Sequence, residues 1–240
     1  MIEMKIACCI VAAGKGTRLG ADWADTPKAM IPLLGRPMLY YSVHAFDRVK
    51  NLDRIVTAVP SDYFGGFQKL IKAWGFSHKI ELVEGGERRT DSVANTLAPL
   101  SENPPDFVLI HDAARACITT EMIESMISSS DGNASVLASP AIDTLREISD
   151  GFISGEIDRS KIFCLETPQM FPYEKLVEMH VSRSMEDFSD DTTLFTRAGE
   201  KVRVAIHEGC NMKITFPEDI GAAEGILFGR GWQDATEGEE

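Results

Sequence analysis

The sequence contains no apolar run close to the roughly 20 residues that a membrane-spanning helix needs. It also has few basic residues, because 24 Lys and Arg stand against 37 Asp and Glu and give a formal net charge of −13. Nonspecific nucleic-acid binding needs a positive surface that neutralises phosphates. We therefore expect neither a membrane protein nor a nucleic-acid-binding protein.

Cysteine is scarce as well. The five residues form neither a Cys-x-x-Cys pair nor the spacing of a zinc site. They are Cys8, Cys9, Cys117, Cys164 and Cys210. This pattern indicates reduced, mostly buried thiols, so we expect a cytoplasmic protein without a catalytic cysteine.

The remaining composition, 44% hydrophobic and 25% charged, is ordinary for a globular protein. A chain of 240 residues can bury a substantial core as one large α/β domain or two small ones. We expect a single domain over residues 1–230. The acidic tail, residues 231–240, contains little to bury and is expected to be loosely ordered.

Apolar, β-branched runs alternate along the chain with segments of helical period. Strands are predicted at Ile6–Val11, Ile55–Val59, Ile80–Val83, Phe107–Ile110 and Ser135–Ser139. Helices are predicted at Met38–Val49, Tyr63–Trp74, Asp91–Leu100 and Thr120–Ser129. Continuously apolar strands separated by helices indicate an α/β, doubly wound, mostly parallel sheet. Ligands bind such sheets at the carboxyl ends of the strands.

The segment from Thr144 to Asp158 interrupts this alternation. Two short strand-like runs flank Asp150-Gly151, a dipeptide that favours a tight hairpin turn. We expect a β-hairpin arm at about residues 142–162 that projects from the sheet. Such an arm either packs on another subunit or forms a local flap.

A glycine-rich loop, Ala12-Ala-Gly-Lys-Gly-Thr-Arg-Leu19, follows the first strand. Its small residues let backbone N–H groups approach a phosphate chain, and Lys15 and Arg18 add positive charge. A Walker-type loop is excluded, because Gly16 separates Lys15 from Thr17 and a cysteine replaces the earlier glycine. The glycine spacing is also one residue too long for a dinucleotide fingerprint.

The next segment makes the resemblance specific. Pro27-Lys28 follows the loop by about ten residues, and Gly35-Arg-Pro37 then enters a helix. This arrangement looks like that of the sugar-nucleotide and cytidylyl nucleotidyltransferases, whose fold is Rossmann-like. In that superfamily the arginine and the lysine at the positions of Arg18 and Lys28 bind the triphosphate. Nucleotidyl transfer depends mainly on such positioning and cationic stabilisation.

Further motifs narrow the resemblance to the 2-C-methyl-D-erythritol 4-phosphate cytidylyltransferase family and its close relatives that act on ribitol 5-phosphate. They are Gly85-Gly-Glu-Arg-Arg-Thr-Asp-Ser-Val93, His111-Asp-Ala-Ala-Arg-Ala-Cys117, Thr167-Pro-Gln-Met-Phe171, Ser189-Asp-Asp191 and Glu208-Gly-Cys-Asn-Met-Lys-Ile-Thr215, the last matching a strand of the family. The motifs occur in the family's order. Ala29 replaces a glutamine found in many members, which leaves the acceptor subgroup open.

The resemblance implies a role for each matching residue. The nucleotide would be bound by Ala12, Ala13, Gly14, Gly16, Gly86 and Ser92. The catalytic cations would be Arg18, Lys28 and Lys213. The acceptor would be bound by Asp112, Arg115, Thr144, Arg159 and Thr167. Asp112 would also hold Mg²⁺, a hard ion that takes few protein ligands and shares the rest with phosphate and water.

The implied reaction joins CTP to 2-C-methyl-D-erythritol 4-phosphate and releases pyrophosphate, a step of isoprenoid precursor synthesis by the non-mevalonate route. The implied assembly is a homodimer whose arm carries acceptor-binding residues into the neighbouring subunit's site. A ribitol-5-phosphate cytidylyltransferase is the nearest alternative. A noncatalytic nucleotide-binding protein is an alternative of another class.

Four residues of these motifs also have a structural interpretation. Ser92 suits a helix start as well as nucleotide binding. Asp190 and Asp191 also suit a helix start, where negative charge is favourable. His111 is interpreted as structural, because a phosphate monoester dianion is already a nucleophile at neutral pH.

Overall fold

A central sheet of seven strands organises the chain. The computed structural model describes residues 4–14, 16–182, 188 and 190–235. The strands are β1 (Ile6–Val11), β2 (Pro32–Leu33), β3 (Arg36–Pro37), β4 (Leu52–Val59), β5 (Ile80–Glu84), β6 (Phe107–Asp112), β7 (Ser135–Pro140), β8 (Arg146–Ser149), β9 (Phe152–Glu156), β10 (Phe163–Pro172) and β11 (Arg203–Ile206). The helices are α1 (Met38–Asp47), α2 (Phe64–Trp74), α3 (Arg89–Leu97), α4 (Thr120–Ser129), α5 (Tyr173–Ser182), α6 (Thr192–Arg197) and α7 (Glu218–Gly229).

The strand order of the main sheet is β11-β7-β10-β6-β1-β4-β5. Strand β10 pairs antiparallel with both β6 and β7, and the other strand pairs are parallel. The predicted doubly wound, mostly parallel fold is therefore confirmed. The predicted strands and helices all occur, with ends that differ by a few residues.

Strand β1 shows why a continuously apolar run folds as a central strand. Ile6, Cys8 and Ile10 pack into the core on one face of the sheet, and Ala7 and Cys9 pack into the core on the other face. Because successive side chains point to opposite faces, a strand covered on both faces must be apolar at every position. Burial also raises the pKa of the Cys9 thiol to about 12.

The structure adds two strands and corrects one expectation in the second half of the chain. Strands β10 and β11 were not predicted, although β10 lies between β6 and β7. Conversely, residues 211–215, matched to a strand of the family, have no regular secondary structure. That segment crosses the end of β6, where the Ile214 N–H donates to the Ala114 carbonyl at 2.8 Å.

The predicted hairpin is present as β8 and β9. Asp150 and Gly151 form its turn with φ values of 52° and 85°. A two-residue turn with positive φ at both positions matches the twist of the strands it joins, and glycine adopts that conformation without strain. The arm is therefore a well-formed antiparallel ribbon.

The first part of the acidic tail differs from its expectation. The Trp232 ring lies 4.8 Å from the rings of Tyr41 and His44, measured between centroids. The Ala235 N–H donates to the Leu34 carbonyl at 3.1 Å. One half-buried aromatic side chain thus anchors residues 231–235, and residues 236–240 lie outside the described part. Within the described ranges, no helix combines the length and apolarity needed to cross a bilayer.

Candidate active site

The main cavity, of about 360 Å³, lies at the carboxyl ends of β1, β5 and β6. This is where a doubly wound sheet is expected to bind its ligand. Most of the residues singled out from the sequence line it: Ala12, Ala13, Gly14, Gly16, Arg18, Lys28, Gly86, Ser92, Asp112 and Lys213. The chain thus collects these residues from segments that are far apart in the sequence, and their individual roles stay predictions.

Glycine is required where two loops meet at this cavity. A Cβ atom built on Gly85 would lie 2.1 Å from the Cβ of Ala13, and one on Gly86 would lie 2.2 Å from the Cβ of Asp91. Both distances are far inside van der Waals contact. The loop after β5 can therefore approach the glycine-rich loop after β1 only because it has no side chains there.

Ser92 has a definite partner in this loop. Its hydroxyl accepts from the Gly86 N–H at 3.1 Å and donates to the Arg88 carbonyl at 3.2 Å. The cap of α3 is instead made by Asp91, whose carboxylate accepts from the Arg88 N–H at 3.1 Å. Ser92 thus fixes the backbone of Gly86 at the cavity wall.

Three cations face one another across the cavity. Lys28 lies in a short 3₁₀ turn, Lys28–Met30, and is half-buried. Burial and the nearby charges of Lys213 and Arg18 lower the pKa of Lys28 to about 8. Clustered cations repel one another, so their arrangement favours a polyanion between them. Lys15 lies outside the described residues.

Asp112 ends β6 and is bound by two of the cations at the cavity. Its Oδ2 atom lies 2.6 Å from Lys213 Nζ, and its Oδ1 atom accepts from Arg89 Nε at 3.0 Å. Burial opposes ionisation of Asp112, but the charges of Arg89 and Lys213 outweigh it and hold the pKa well below its usual value. The carboxylate is therefore charged throughout the physiological range.

Arg89 is the functional residue that sequence reasoning missed. It contacts Asp112 and also Asp191, whose Oδ2 atom lies 2.8 Å from Arg89 Nη1. The signal was present, because Arg89 occupies the arginine of the family's Gly-Gly-x-x-Arg-x-x-Ser-Val motif. Only a glycine and a serine of that motif were singled out.

Asp190 and Asp191 have different roles. The Asp190 carboxylate accepts from the Thr193 N–H at 3.2 Å and from the Thr192 hydroxyl, so it caps α6. Asp191 makes no such cap. It is 2% exposed and accepts from Arg89 and from His180. Asp190 thus makes the hydrogen bonds of a helix-start residue, whereas Asp191 occupies the N-cap position of α6 but directs its carboxylate to Arg89 and His180. Ser189 lies outside the described residues.

His111 and Thr167 form a buried support beneath Asp112. The Thr167 hydroxyl accepts from the Asp112 N–H at 3.0 Å and lies 3.1 Å from His111 Nδ1. His111 Nε2 lies 3.3 Å from the Ser42 hydroxyl. Burial lowers the pKa of His111 to about 3, so its ring is neutral. These contacts agree with the structural interpretation of His111, and Thr167 lies behind the cavity wall.

Arg115 belongs to a second polar cluster outside the cavity. Its Nη1 atom donates to the Asn211 carbonyl at 2.7 Å and lies 3.8 Å from the Glu166 carboxylate. Glu166 also accepts from Asn211 Nδ2 at 2.8 Å and lies 3.0 Å from His207 Nε2. In the isolated chain, these contacts hold the guanidinium away from the cavity.

Thr144 and Arg159 lie at the arm. Thr144 is exposed, and Arg159 donates to the Ile142 carbonyl at 2.5 Å. Arg159 lines a separate hollow at the base of the arm. In the single chain neither residue lines the main cavity, and the arm lies in the connection between β7 and β10.

One carboxylate at the cavity, that of Asp112, is suited to hold Mg²⁺. Across the described residues, no group of three or more His, Cys, Asp or Glu side chains converges to hold a metal on its own. Asp112 is ionised and presents hard oxygen ligands, and each of its oxygens retains a lone pair beside its present partner. An ion held by Asp112 would take its remaining ligands from phosphate and water.

Comparisons with known proteins agree with this geometry. The family model of 2-C-methyl-D-erythritol 4-phosphate cytidylyltransferase (IspD) matches residues 6–228. The protein of that name from Dictyoglomus thermophilum is 37% identical over 229 residues, covering 93% of this chain and 96% of its own length. A Bacillus mycoides protein of the same name is 32% identical, covering 91% and 96%.

Solved structures show the same likeness. The 4-diphosphocytidyl-2C-methyl-D-erythritol synthase from Anaerococcus prevotii superposes with a TM-score of 0.81 at 27% identity, covering 94% of this chain and 97% of its own. The 2-C-methyl-D-erythritol 4-phosphate cytidylyltransferase from Thermus thermophilus gives 0.72 at 25% identity, covering 94% and 100%. The chain belongs to the 2-C-methyl-D-erythritol 4-phosphate cytidylyltransferase family.

Proposed function

We propose that this protein transfers the cytidylyl group of CTP to 2-C-methyl-D-erythritol 4-phosphate and so forms 4-diphosphocytidyl-2-C-methyl-D-erythritol and pyrophosphate. Membership of the family supports the reaction. The observation that carries it at the level of the site is the meeting of Arg18, Lys28 and Lys213 with Asp112 around one cavity. A noncatalytic nucleotide-binding protein has no need to retain all four.

The chemistry follows from the charges at the site. An oxygen of the acceptor phosphate attacks the α-phosphorus of CTP, a new P–O bond forms, and the bond to the β-phosphate breaks in line with it. Arg18, Lys28 and Lys213 neutralise the charge on the phosphates, and pyrophosphate leaves. The neutral, buried His111 agrees with a reaction that needs no general base.

The remaining residues at the cavity hold the nucleotide. Backbone groups of Ala12, Ala13 and Gly86 are suited to reading the base, since Ser92 fixes Gly86. Mg²⁺ held by Asp112 would supply further neutralisation of the triphosphate charge. All five cysteines are free, which favours a reducing compartment such as the cytoplasm.

A homodimer formed through the arm would complete the acceptor half of the site. Four large apolar side chains of the arm segment are more than half exposed: Ile142, Ile148, Phe152 and Ile153. An exposed apolar patch of this kind marks a protein contact. A neighbouring chain packed on it would receive Thr144 and Arg159, which a single chain leaves outside the cavity.

The direct test supplies the protein with each of the four nucleoside triphosphates, Mg²⁺ and one phosphorylated polyol, and measures pyrophosphate release. We expect release with CTP and 2-C-methyl-D-erythritol 4-phosphate, and loss of release when a chelator removes the metal. Pyrophosphate release only when ribitol 5-phosphate is the acceptor, or only when a purine triphosphate is the donor, would contradict the proposal.

A further inference from the structure

A chain of buried charged side chains leads away from the cavity. Arg89 donates from Nε to Asp112 at 3.0 Å and from Nη1 to Asp191 at 2.8 Å. The other oxygen of Asp191 lies 2.9 Å from His180 Nε2. Three of these side chains, Asp112-Arg89-Asp191, form a charged chain from the end of β6 to the start of α6, and His180 of α5 contacts its far end.

Asp191 is fixed on every side. Both oxygens of its carboxylate have partners, and its N–H donates to Gln169 Oε1 at 3.1 Å. Gln169 belongs to β10, the strand beside β6. Asp191 therefore has a rigid setting, although it lies outside the set of residues that line the cavity.

Burying a carboxylate costs free energy unless a neighbouring charge and hydrogen bonds compensate it. The Asp191 carboxylate makes no helix-capping hydrogen bond, so capping does not explain its burial. Arg89 compensates it and is shared with Asp112. Burial opposes a charged Arg89, but the two carboxylates outweigh burial and raise its pKa. One guanidinium therefore divides its donors between a carboxylate at the cavity and a carboxylate behind it.

The sharing decides how Arg89 meets Asp112. With Nη1 bound to Asp191, Arg89 reaches Asp112 through Nε and touches only Oδ1. Arg89 Nη2 is buried and has no hydrogen-bond partner among the described residues, so the contact of Nη1 with Asp191 fixes the orientation of the guanidinium and does not exhaust its donors. Without a charge at Asp191, the guanidinium is free to turn until two of its donors reach both carboxylate oxygens of Asp112, which is a bidentate pairing. That pairing would compete for Oδ2, the oxygen that Lys213 contacts.

We propose that Asp191 is a positioning residue for the transfer reaction, which acts through Arg89 to keep the Asp112 carboxylate open toward the cavity. His180 and Gln169 hold Asp191 in place. The kinetic test of this inference rests on the proposed function, whereas its structural basis is the charged chain alone.

The test is a double-mutant cycle between Asp191→Asn and Asp112→Asn. Asparagine keeps the size of Asp191 and removes its charge. We expect Asp191→Asn alone to lower kcat/KM by about 10- to 100-fold, the usual effect of losing a partner that orients a functional carboxylate. In Asp112→Asn protein the same change should alter activity by less than about 2-fold.

Calorimetric CTP binding, with and without Mg²⁺, gives the cycle a second readout that does not depend on turnover. We expect Asp191→Asn to weaken binding in the presence of Mg²⁺, and the effect to disappear in the Asp112→Asn protein. A purely structural role would leave the weakening in both backgrounds.

The neighbouring Asp190 provides a matched control. Asp190→Asn removes a neighbouring carboxylate charge but keeps the side-chain oxygen that caps the same helix, so it should leave the melting temperature, kcat and KM close to those of the wild type. His180 provides a second variant should Asp191→Asn fold poorly. His180→Gln keeps a donor near Asp191 and should retain activity, whereas His180→Leu should lower kcat/KM.

The outcomes separate the inference from the proposed function. If Asp191→Asn changes only the melting temperature, or if its effect persists in Asp112→Asn protein, Asp191 merely stabilises the fold and the inference is wrong. If the wild-type protein releases no pyrophosphate, the proposed function is wrong, and the CTP-binding cycle still decides the role of Asp191.

Discussion

The ammonium group of Lys213 lies 2.6 Å from the carboxylate of Asp112, although 101 positions separate the two residues in the sequence. Asp112 ends a central strand, and Lys213 lies in a segment without regular structure that crosses that end. Lys213 is the more exposed partner, with 42% of its side chain accessible against 12% for Asp112. The contact therefore joins a fixed carboxylate to a cation that has room to turn toward a bound phosphate.

Removal of this cation should impair the reaction. We expect Lys213→Ala to lower kcat on the order of 10²-fold or more, because a preorganised charge that stabilises the transition state is lost. Lys72→Ala, on the exposed side of α2, is the control and should leave kcat unchanged. Pyrophosphate release measures both, and near-normal turnover of the Lys213 variant would contradict its assignment.

The lowered pKa of Lys28 predicts a pH dependence. Burial, with the charges of Lys213 and Arg18, lowers this pKa from 10.5 to about 8, so the free enzyme loses the charge on Lys28 as the pH rises through 8. We expect kcat/KM, which reports the free enzyme, to fall above about pH 8. The phosphates of bound CTP favour the charged lysine, so the decline in kcat should lie at higher pH.

Lys28→Arg isolates this titration. Arginine stays charged throughout the accessible pH range. The variant is expected to lose activity at neutral pH because of its changed geometry, and its residual kcat/KM should show no decline near pH 8. An unchanged alkaline decline would assign the titration to another group.

Local sequence predicted those features that depend on local interactions. Asp150-Gly151 specified the hairpin because only a few residue pairs suit a turn with positive φ at both positions. The apolar run of β1 likewise specified a buried central strand, because a strand that is covered on both faces must be apolar at every position. In contrast, the place of β10 between β6 and β7 depends on pairing between distant segments, which no local pattern encodes.

The same distinction applies to the site. The motifs identified Lys28, Asp112 and Lys213, because each lies in a short pattern that has a chemical explanation. The sharing of Arg89 between two carboxylates was not predictable, since Asp191 is 102 positions away and looks like an ordinary helix-start residue. The packing of Trp232 against the core was missed because the acidic residues that follow it dominate the composition of the tail.

The contact between the two glycine loops predicts a coupled loss of stability and binding. Gly85→Ala places a methyl group against Ala13, and relief of the overlap must push the loops apart. We expect a lower free energy of unfolding, by about 1–3 kcal/mol, and a higher KM for CTP. Urea unfolding and initial-rate kinetics measure the two effects.

Gly65→Ala is the matched control for this substitution. Gly65 lies in α2, where an added Cβ would meet no atom within 4 Å. Gly65 is the second residue of the helix, where alanine is tolerated at least as well as glycine, so this variant should not lose stability and should have an unchanged KM. A Gly85→Ala protein with the kinetics of the wild type would show that the close approach has no part in CTP binding.

The pair of Glu166 and His207 predicts a pH-dependent contribution to stability. The hydrogen bond with Glu166 raises the pKa of His207 above 6.5, and burial opposes this shift. Burial raises the pKa of Glu166, but bonds from His207 and Ser139 outweigh it and lower the pKa below 4.5. The pair therefore stabilises the fold fully between pH 4.5 and 6.5.

This stabilisation is lost as the pH rises through the raised pKa of His207, and as it falls through the lowered pKa of Glu166. Glu166→Gln keeps an oxygen for Asn211 and removes the charge. We expect the variant to melt roughly 2–4 °C below the wild type at about pH 6, with a smaller difference at about pH 9. A difference that is the same at both values would contradict the charged pair.

If the arm of one subunit completes the site of the other, two inactive variants should regain activity when they form a mixed dimer. If Arg159 acts in the neighbouring subunit's cavity, a hybrid of a Lys28→Ala chain and an Arg159→Ala chain contains one site with both native residues. Co-expression with two different affinity tags isolates this hybrid. We expect it to show about half the turnover of the wild-type dimer, because one of its two equivalent sites is intact.

The matched control is a hybrid of Lys28→Ala and Lys213→Ala chains. Both residues line the cavity of their own chain, so each site of this hybrid carries one lesion and the hybrid should stay inactive. Phe152→Ser on the arm should weaken the dimer in sedimentation experiments, because it removes an apolar side chain that is 76% exposed in the single chain. An inactive hybrid of Lys28→Ala and Arg159→Ala would mean that Arg159 serves its own chain, or has no part in acceptor binding. Restored activity in that hybrid, with an inactive control, is possible only if the arm of one subunit completes the site of the other.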